Sequence, residues 1–283
     1  MKYIEIKAPA KINIGLNIVE KRNDGFHNLE TFFYPINDLF DELTIERADK
    51  FFFEMQDTNI KYQENLQNNL VVKAKNILEE KTGKKLTAKI TLKKNIPIGA
   101  GLGGGSSDAA ATLISLNEMF NLKIKKEQMI ELALQLGSDV PFFLKAKPAV
   151  GKSRGEILSI KEFSVPYYIL LVNPGIHVST KEAFANISHV QSNIDYDDVF
   201  TDFNSFWLHH NNVRNDFENF VFTKYPEIKQ IKEVLVENGS LFSLMSGSGS
   251  TVYGFFQNYE DAFNTKKLFP AEYLTFISRP DSI

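Results

Sequence analysis

The sequence predicts an α+β protein built from two domains. Three observations favour this fold class. A length of 283 residues suits two domains or one large one. Strand-like alternation and helix-like spacing of apolar residues are interleaved along the chain. The pattern breaks up between Lys147 and Gly155, and we place the domain boundary there, which gives domains 1–155 and 156–283.

The first quarter of the chain predicts a meandering sheet. Apolar residues occupy every even position from Ile4 to Ile18, which is typical of a half-buried pair of strands. Lys11 and Asn13 then fall together on the uncovered face, and Pro9 indicates a break or a sheet edge. Asn23-Asp24-Gly25 predicts a tight hairpin turn, after which LETFFYPI and DELTIERA continue the sheet.

Helical spacing dominates from residue 69 onward. We expect a helix at 69–80, the strand LTAKITL, and a helix over SSDAAATLISLNEMF capped by Ser106 or Ser107. The next helix stops at Gly137, and Asp139 lies at the start of a further short one. In the second half we expect strands at YYILLVN and YLTFIS and a hairpin through LFSLMSGSGSTVYGFF, with helices near Lys181, from Asn204, at 226–238 and from Tyr259.

Composition limits the classes of partner. The formal net charge of -3 and the pI near 6.0 argue against nucleic acid or an anionic membrane as the main partner, because both require clustered positive charge. The chain contains no cysteine, which fits a reducing compartment and excludes thiolate chemistry. The polar, alternating start MKYIEIKAPAKINIG resembles neither a signal peptide nor a membrane span. A cytoplasmic location is therefore the expectation.

The segment IPIGAGLGGGSSDAA, residues 96–110, predicts an anion site. Five glycines join a strand to a helix, and glycine lets successive backbone N–H groups approach a ligand closely. The helix N-terminus adds unpaired N–H groups and the positive end of its dipole. Ser106 and Ser107 can donate to phosphate oxygens or complete the coordination of Mg²⁺. Asp108 follows as a first-turn residue to which the sequence assigns no role.

Three other interpretations apply to this loop. It is also consistent with a flexible connection carrying serine caps, although ordered glycines cost about 1 kcal/mol each. Gly99, Gly101 and Gly104 satisfy G-x-G-x-x-G, but no βαβ unit surrounds them. A Walker loop fails, because the Gly-Lys-Ser at 151–153 has Ala146 where its first glycine should stand.

Three motifs in order resemble the GHMP kinases. They are APAKINIG from Ala8, PIGAGLGGGSS from Pro97 and MSGSGST from Met245. The resemblance implies transfer of the γ-phosphoryl group of ATP to an alcohol, with ATP and Mg²⁺ as cofactors. It also implies a two-domain GHMP kinase fold, with an N-terminal ribosomal-protein-S5-like α/β domain and a C-terminal α/β sandwich of ferredoxin-like topology.

Further segments resemble one branch of that family, whose members phosphorylate the erythritol 2-hydroxyl of a cytidylyl-linked polyol in non-mevalonate isoprenoid synthesis. These segments are KINIGLNIVEKRNDGFHNLET, LGSDVPFF, the NPG-H-V-S-T stretch from Asn173 and RNDFE at Arg214. They span the chain from end to end. Phe26 stands where tyrosine is common in that branch, which keeps a stacking surface and removes a hydroxyl.

The resemblance assigns roles to individual residues. It makes Asp139 the catalytic base and places Lys11 beside it, to orient the carboxylate and neutralise developing charge. It assigns His27 to hydrogen bonding with the edge of the cytosine, and Phe26 and Phe184 to stacking on its faces. The remaining assignments are ATP binding by Pro97, Gly99, Ala100, Gly101, Leu102, Gly103, Gly104, Gly105, Ser106 and Ser107, Mg²⁺ at Ser107, and substrate binding by Asn13, Gly247 and Ser248.

The residues alone leave plainer interpretations open. Asp139 is also a typical helix cap, Lys11 a typical solvated lysine and His27 a typical exposed turn residue. A GHMP kinase acting on homoserine or mevalonate is a second hypothesis, and a non-catalytic nucleotide-binding protein on the same fold is a third. The expected partners are ATP and a small-molecule substrate, a cytidylyl-linked polyol, without nucleic acid or membrane, and the chain is expected to be a monomer or a weak homodimer.

Overall fold

The computed structural model describes residues 3–57, 68–187 and 194–280. The chain divides into two compact units that interleave along the sequence. Unit 1 comprises Met1–Ala10, Leu39–Ile98 and Gly103–Ala146, and unit 2 comprises Lys11–Asp38, Gly99–Leu102 and Lys147–Ile283. The first two strands, β1 (Tyr3–Lys21) and β2 (His27–Arg47), each contribute residues to both units. The sequence-based boundary at residue 155 stays a prediction.

Unit 1 packs helices on a small mixed sheet. Strand β2 pairs antiparallel with β4 from Glu42↔Lys93 to Arg47↔Ala88, and β4 pairs parallel with β3. Alternate residues of β4 are buried, as expected for a sheet with one covered face. Its other elements are β3 (Phe52–Asp57), α1 (Leu70–Thr82), β4 (Ala88–Lys94), α2 (Gly104–Met119), α3 (Lys126–Leu136) and α4 (Val140–Phe143).

The helix after the glycine cluster begins earlier than the sequence predicts. Its N-cap is Gly103, with φ of 72°, and no side chain caps it; Ser106 and Ser107 lie inside the first turn. The reason is that glycine adopts this left-handed backbone at little cost, so the chain turns into α2 before reaching the serines. The prediction of α1 is confirmed, with Asn69 accepting a hydrogen bond from the Val71 N–H.

Unit 2 contains a four-stranded antiparallel sheet. Its strand order is β10-β7-β9-β8, which is the 4-1-3-2 order of a ferredoxin-like fold and confirms that prediction. Helices cover an apolar core that includes Leu170, Phe217 and Ile231. Its elements are β5 (Ala149–Ser153), β6 (Ile157–Ile160), β7 (Tyr168–Asn173), α5 (Thr180–Ala185), α6 (Tyr196–Val199), α7 (Phe203–His209), α8 (Glu218–Lys224), α9 (Pro226–Glu237), β8 (Phe242–Met245), β9 (Val252–Phe256), α10 (Tyr259–Lys266) and β10 (Leu274–Ser278).

Two expectations about the strands are wrong: the division of the first two strands into shorter ones, and the uncovered face of β1. Strand β1 is one continuous strand through Pro9, and β2 is likewise one strand of 21 residues. Pro9 therefore marks no break, but the alternative of a sheet edge is confirmed, because β1 pairs only with β2 among the described strands. Residues 149–153, where the sequence pattern breaks up, form β5, paired with β2 and β6. Lys11 and Asn13 are not on an uncovered face: they are only 3% and 2% exposed. Tertiary contacts cover that face of β1, and no local periodicity reports such contacts.

The helices of the described residues include none that is both long enough and apolar enough to cross a lipid bilayer.

Candidate active site

The glycine loop owes its shape to close backbone contacts. Gly101 has φ of 77°, and a Cβ there would lie 2.2 Å from the Ser246 carbonyl oxygen, so only glycine fits. Nearby backbone atoms of unit 2 hold this part of the loop: the Thr251 N–H donates to the Ala100 carbonyl at 3.2 Å, and the Lys11 N–H donates to the Leu102 carbonyl at 2.9 Å. The first half of the loop is therefore fixed by hydrogen bonds.

The second half of the loop, in unit 1, is the start of α2. Gly104 and Gly105 are followed by Ser106, which is half-buried, and Ser107, which is 1% exposed. Among the residues that the structure describes, the Ser107 Oγ has no hydrogen-bond partner. A 16-residue helix presents its positive end and its first free N–H groups at this point. These features suit a bound phosphate group.

A buried ion triad lies behind the start of α2. The Lys94 ammonium pairs with Asp108 at 2.8 Å and with Asp41, and all three side chains are nearly inaccessible. Asp41 also accepts the N–H groups of Asn95 (2.6 Å) and Ile96 (2.8 Å). Lys94 approaches Gly104 so closely that a Cβ there would lie 3.2 Å from its Nζ. The triad therefore connects β4, which precedes the glycine loop, to α2, which follows it.

Burial and the neighbouring charges shift the pKa values of Asp108 and Lys94. Burial raises the pKa of Asp108 to about 7, partly offset by Lys94 and reinforced by repulsion from Asp41. Burial alone would lower the pKa of Lys94, but the attraction of Asp108 and Asp41 outweighs it, so that pKa is raised. Sequence reasoning assigned Asp108 no role, because only the fold places Lys94 and Asp41 next to it.

Asp139 lies in the turn between α3 and α4, in unit 1. It is partly exposed and sits at the N-cap position of α4, but its side chain makes no capping hydrogen bond. The plainer interpretation, a carboxylate that only caps a helix, therefore does not describe it. The preceding Gly137 packs beside α2, since a Cβ on it would lie 3.9 Å from the Ser106 Oγ. Asp139 and the first turn of α2 thus share one region of unit 1.

Lys11 and Asn13 form a buried polar centre in unit 2. The Lys11 Nζ donates to the Gly101 carbonyl at 2.9 Å and to the Asn13 Oδ1 at 2.6 Å. The Asn13 Nδ2 donates in turn to the Thr31 Oγ1 at 2.8 Å. Because these partners fix both side chains, the ammonium is held against the glycine loop. The interpretation of Lys11 as a solvated surface lysine is wrong.

The turn between β1 and β2 carries the residues predicted to hold the base. The confirmed turn has Gly25 at φ of 85° and an Arg22 N–H bonded to the Phe26 carbonyl. His27 stacks on Phe184, with ring centroids 5.0 Å apart and planes 17° from parallel. The Arg154 guanidinium lies 3.9 Å from the centroid of the Phe26 ring, a contact that the sequence did not reveal.

The glycine-rich hairpin between β8 and β9 packs against the same centre. A Cβ on Gly247 would lie 3.3 Å from the Asn13 Oδ1 and 3.5 Å from the Lys11 Nζ. The hydroxyls of Ser248 and Thr180 are hydrogen-bonded at 2.9 Å. Ser246, which sequence reasoning passed over inside MSGSGST, donates from its Oγ to the Gly101 carbonyl at 2.9 Å.

The structure therefore groups the residues predicted for the site in two sets. The first set lies in unit 2 and has two parts. One part comprises Lys11, Asn13, Gly101 and Gly247, and the other comprises His27 and Phe184. Unit 1 brings together the first turn of α2 and the turn bearing Asp139; Pro97 also belongs to unit 1. That Lys11 and Asp139 serve one reacting centre stays a prediction, as do the roles of the individual residues.

The oxygen atoms available near the start of α2 suit a magnesium ion that arrives bound to a nucleotide. Among the described residues, no group of three His, Cys, Asp or Glu side chains is arranged to hold a metal. Mg²⁺ commonly keeps several waters and binds through one or two protein oxygens plus substrate phosphates. The Ser107 Oγ, which lacks a protein partner among those residues, is a fitting oxygen for that purpose.

Comparison with known proteins identifies the family. The family model for the GHMP kinases N terminal domain matches residues 69–147, and that for the GHMP kinases C terminal domain matches residues 205–270. The 4-diphosphocytidyl-2-C-methyl-D-erythritol kinase of Chlorobium phaeobacteroides is 40% identical over 285 residues, covering 99% of this chain and 98% of that protein. The enzyme of the same name from Bacteroides fragilis is 43% identical over 254 residues, covering 89% and 91%.

Solved structures give the same answer for the fold. A crystal structure of 4-(cytidine 5'-diphospho)-2C-methyl-D-erythritol kinase superposes with a TM-score of 0.81 at 28% identity, covering 99% of this chain and all of that one. Homoserine kinase from Cytophaga hutchinsonii superposes at 0.73 with 18% identity, covering 99% and 95%, and shows the shared fold alone. The chain is a kinase of the GHMP superfamily and belongs to its 4-diphosphocytidyl-2-C-methyl-D-erythritol kinase family.

Proposed function

We propose that this enzyme transfers the γ-phosphoryl group of ATP to the erythritol 2-hydroxyl of 4-diphosphocytidyl-2-C-methyl-D-erythritol, a step in non-mevalonate isoprenoid synthesis. The single observation that carries the proposal is the buried Lys11 ammonium bonded at once to the Gly101 carbonyl and to Asn13. A fixed cation on a glycine loop suits phosphoryl transfer, in which positioning and charge stabilisation supply most of the catalysis. The names and full-length coverage of the relatives support the choice of substrate.

The reaction assigns a task to each region. The acceptor oxygen forms a bond to the γ-phosphorus as the bond to the β–γ bridging oxygen breaks, and ADP leaves. Asp139 accepts the proton of the hydroxyl, and Lys11 stabilises negative charge on the transferred group. The residues 99–107 hold the phosphates of ATP through backbone N–H groups and the hydroxyls of Ser106 and Ser107. Mg²⁺, when bound, would neutralise charge on the phosphate oxygens, and the Ser107 hydroxyl would be among the oxygens that hold it.

The cytidine end of the substrate is assigned to unit 2. His27 recognises the edge of the base, and the aromatic rings of Phe184 and Phe26 offer faces for stacking. The stacking of His27 on Phe184 supports their assignment to one base, because it keeps the two rings side by side. Asn13, Gly247 and Ser248 are assigned to the diphosphate and polyol. We also propose a cytoplasmic enzyme that is a monomer or a weak homodimer.

A product assay tests the function directly. Purified protein with ATP, Mg²⁺ and the cytidylyl erythritol substrate is expected to release one ADP for each phosphorylated product, with the new phosphate on the 2-hydroxyl by NMR. Homoserine and mevalonate, the acceptors of the competing hypothesis, serve as parallel substrates. Turnover of either acceptor in place of the cytidylyl compound would replace the proposed substrate. ATP binding without turnover of any acceptor would support the non-catalytic alternative.

A further inference from the structure

The segment RNDFE, residues 214–218, stands out in the sequence but has no part in the reaction described above. The structure binds it tightly to β1. The Leu16 N–H donates to the Arg214 carbonyl at 2.8 Å, and the Asp216 N–H donates back to the Leu16 carbonyl at 2.9 Å. The Asp216 Oδ2 accepts the Ile18 N–H at 2.7 Å. The segment is therefore a fixed element next to the strand that carries Lys11 and Asn13.

Asn215 uses its whole amide on the glycine-rich hairpin and its own turn. Its Nδ2 donates to the carbonyls of Met245 and Gly247, each at 2.7 Å, and its Oδ1 accepts the Phe217 N–H at 3.0 Å. Asn215 is 3% exposed, and both carbonyl-bearing residues are buried. One planar group that holds two carbonyls two residues apart fixes the backbone between them. That backbone belongs to Ser246.

Glu218 holds the same strand end from the other side. Its Oε1 accepts the Met245 N–H at 2.9 Å, and its Oε2 pairs with Lys232 at 2.7 Å. Together, Asn215 and Glu218 satisfy both the N–H and the carbonyl of Met245. Satisfied buried polar groups of this kind give a backbone one defined position.

The fixed Ser246 connects this segment to the reacting centre. Its Oγ accepts the Asn13 N–H at 3.2 Å and donates to the Gly101 carbonyl at 2.9 Å. That carbonyl also accepts the Lys11 Nζ at 2.9 Å. The Asn215 amide therefore holds the backbone on both sides of Ser246. The Ser246 hydroxyl and the Lys11 ammonium in turn share the Gly101 carbonyl.

We propose that Asn215 is a positioning residue for phosphoryl transfer: by clamping the carbonyls of Met245 and Gly247 it sets Ser246, and Ser246 sets the Gly101 carbonyl that holds Lys11. The inference rests on the proposed catalytic role of Lys11. Without the amide, two buried carbonyls lose their donor, and the hairpin has no fixed place against the glycine loop.

The experiment compares Asn215→Ala and Asn215→Asp with Asn238→Ala. Asp keeps the volume of Asn215 and the acceptor for the Phe217 N–H, and removes the two-donor amide. Asn238 is the matched control, because its Nδ2 also donates to a backbone carbonyl, that of Val234 at 2.8 Å, but on the exposed end of α9. At temperatures well below each melting point, kcat is expected to fall at least tenfold in both Asn215 variants and to stay within twofold in Asn238→Ala.

A double-mutant cycle separates positioning from plain stability. Ser246→Ala removes the hydroxyl through which Asn215 is inferred to act, so the effects of Asn215→Ala and Ser246→Ala on kcat should not add. The double variant is expected to be no more than about threefold slower than the slower single variant. Asn238→Ala combined with Ser246→Ala should instead give the product of the two separate effects.

A lower melting temperature with unchanged kcat in the Asn215 variants, or additive effects with Ser246→Ala, overturns the inference. If neither Asn215 variant folds, Ser246→Ala alone decides, and an unchanged kcat there overturns the inference. If the wild-type enzyme does not use the cytidylyl substrate, the proposed function has failed separately, and the same cycle is measured with whichever alcohol is turned over.

Discussion

At the scale of the residue, Asp139 is the group whose replacement should stop the chemistry. Its side chain makes no capping bond to α4, so Asp139→Ala removes a proton acceptor without removing a helix cap. We expect kcat to fall by at least about 10²-fold, the usual contribution of a general base, with the dissociation constant for ATP within twofold of wild type. Single-turnover kinetics and calorimetry measure the two quantities.

A matched control for this variant is Asp202→Ala. Asp202 is also a helix N-cap carboxylate, but its Oδ1 accepts the Ser205 N–H at 2.8 Å. Its loss should cost about 1 kcal/mol of stability and leave kcat unchanged. Full activity of Asp139→Ala would remove that carboxylate from the mechanism.

His27 carries a second residue-scale prediction, about recognition. If its ring hydrogen-bonds the edge of the base, His27→Ala should raise KM for the cytidylyl substrate by about tenfold or more, as expected for one lost hydrogen bond in a binding site. KM for ATP should stay unchanged, since the histidine is assigned to the base alone. His209→Ala, a change at an exposed histidine on α7, is the control. Equal effects on the two KM values would contradict the assignment.

At the scale of the element, the fit between the glycine loop and the hairpin predicts the outcome of Gly101→Ala. The new Cβ would lie 2.2 Å from the Ser246 carbonyl and 3.0 Å from that of Gly249, at a positive φ that alanine rarely adopts. The two elements must separate, so we expect kcat/KM to fall by at least about 10²-fold, since small misplacements of catalytic groups have effects of that size.

Gly83→Ala is the control for this effect. Gly83 ends α1 at φ of 66°, but a Cβ there would meet no atom within 4 Å. This change should cost about 1 kcal/mol of stability through backbone strain and leave kcat/KM unchanged. Similar kinetics for the two variants would show that strain, and not the contact with the hairpin, limits Gly101→Ala.

At the scale of the whole molecule, the buried triad predicts how stability depends on pH. The pKa of Asp108 is raised from 3.8 to about 7 in the folded state, so the folded protein binds more protons than the unfolded chain between those values. Its contribution to the free energy of unfolding is therefore fully present below pH 3.8 and is lost as pH rises from there through about 7. Asp197, whose pKa is lowered to about 2 by Lys152 and Lys161, loses its contribution only as pH falls below about 4.

Asp108→Asn should remove the first of these slopes. Asparagine keeps an acceptor for Lys94 but carries no titrating proton. Measured by urea unfolding at pH 5 and pH 8, the stability of the variant relative to wild type should increase by about 1 kcal/mol or more at the higher pH, since each unit of pKa shift corresponds to 1.36 kcal/mol. Parallel pH profiles for the two proteins would show that Asp108 does not titrate in this range.

Much of the fold follows from local patterns. Turn chemistry at Asn23-Asp24-Gly25 and the cap at Asn69 each depend on neighbouring residues, and each is found where the sequence predicts it. The helix after the glycine cluster is also found, although it begins at Gly104 and so before the predicted serine cap. The errors concern burial and continuity: β1 is one strand, and Lys11 and Asn13 are buried. Alternation of apolar and polar residues indicates that one face of a strand is covered. It does not show whether other elements also cover the opposite face.

The sequence by itself determined the order of the elements, the glycine loop and the family, because these depend on residue type and spacing along the chain. Only the tertiary structure decided which distant groups meet. Lys94 reaches Asp41 across 53 positions, Lys11 reaches Gly101 across 90, and Ser246 reaches Gly101 across 145. Such contacts depend on how strands and hairpins pack, and their energies come from burial and paired charge, which no single segment possesses before the chain has folded.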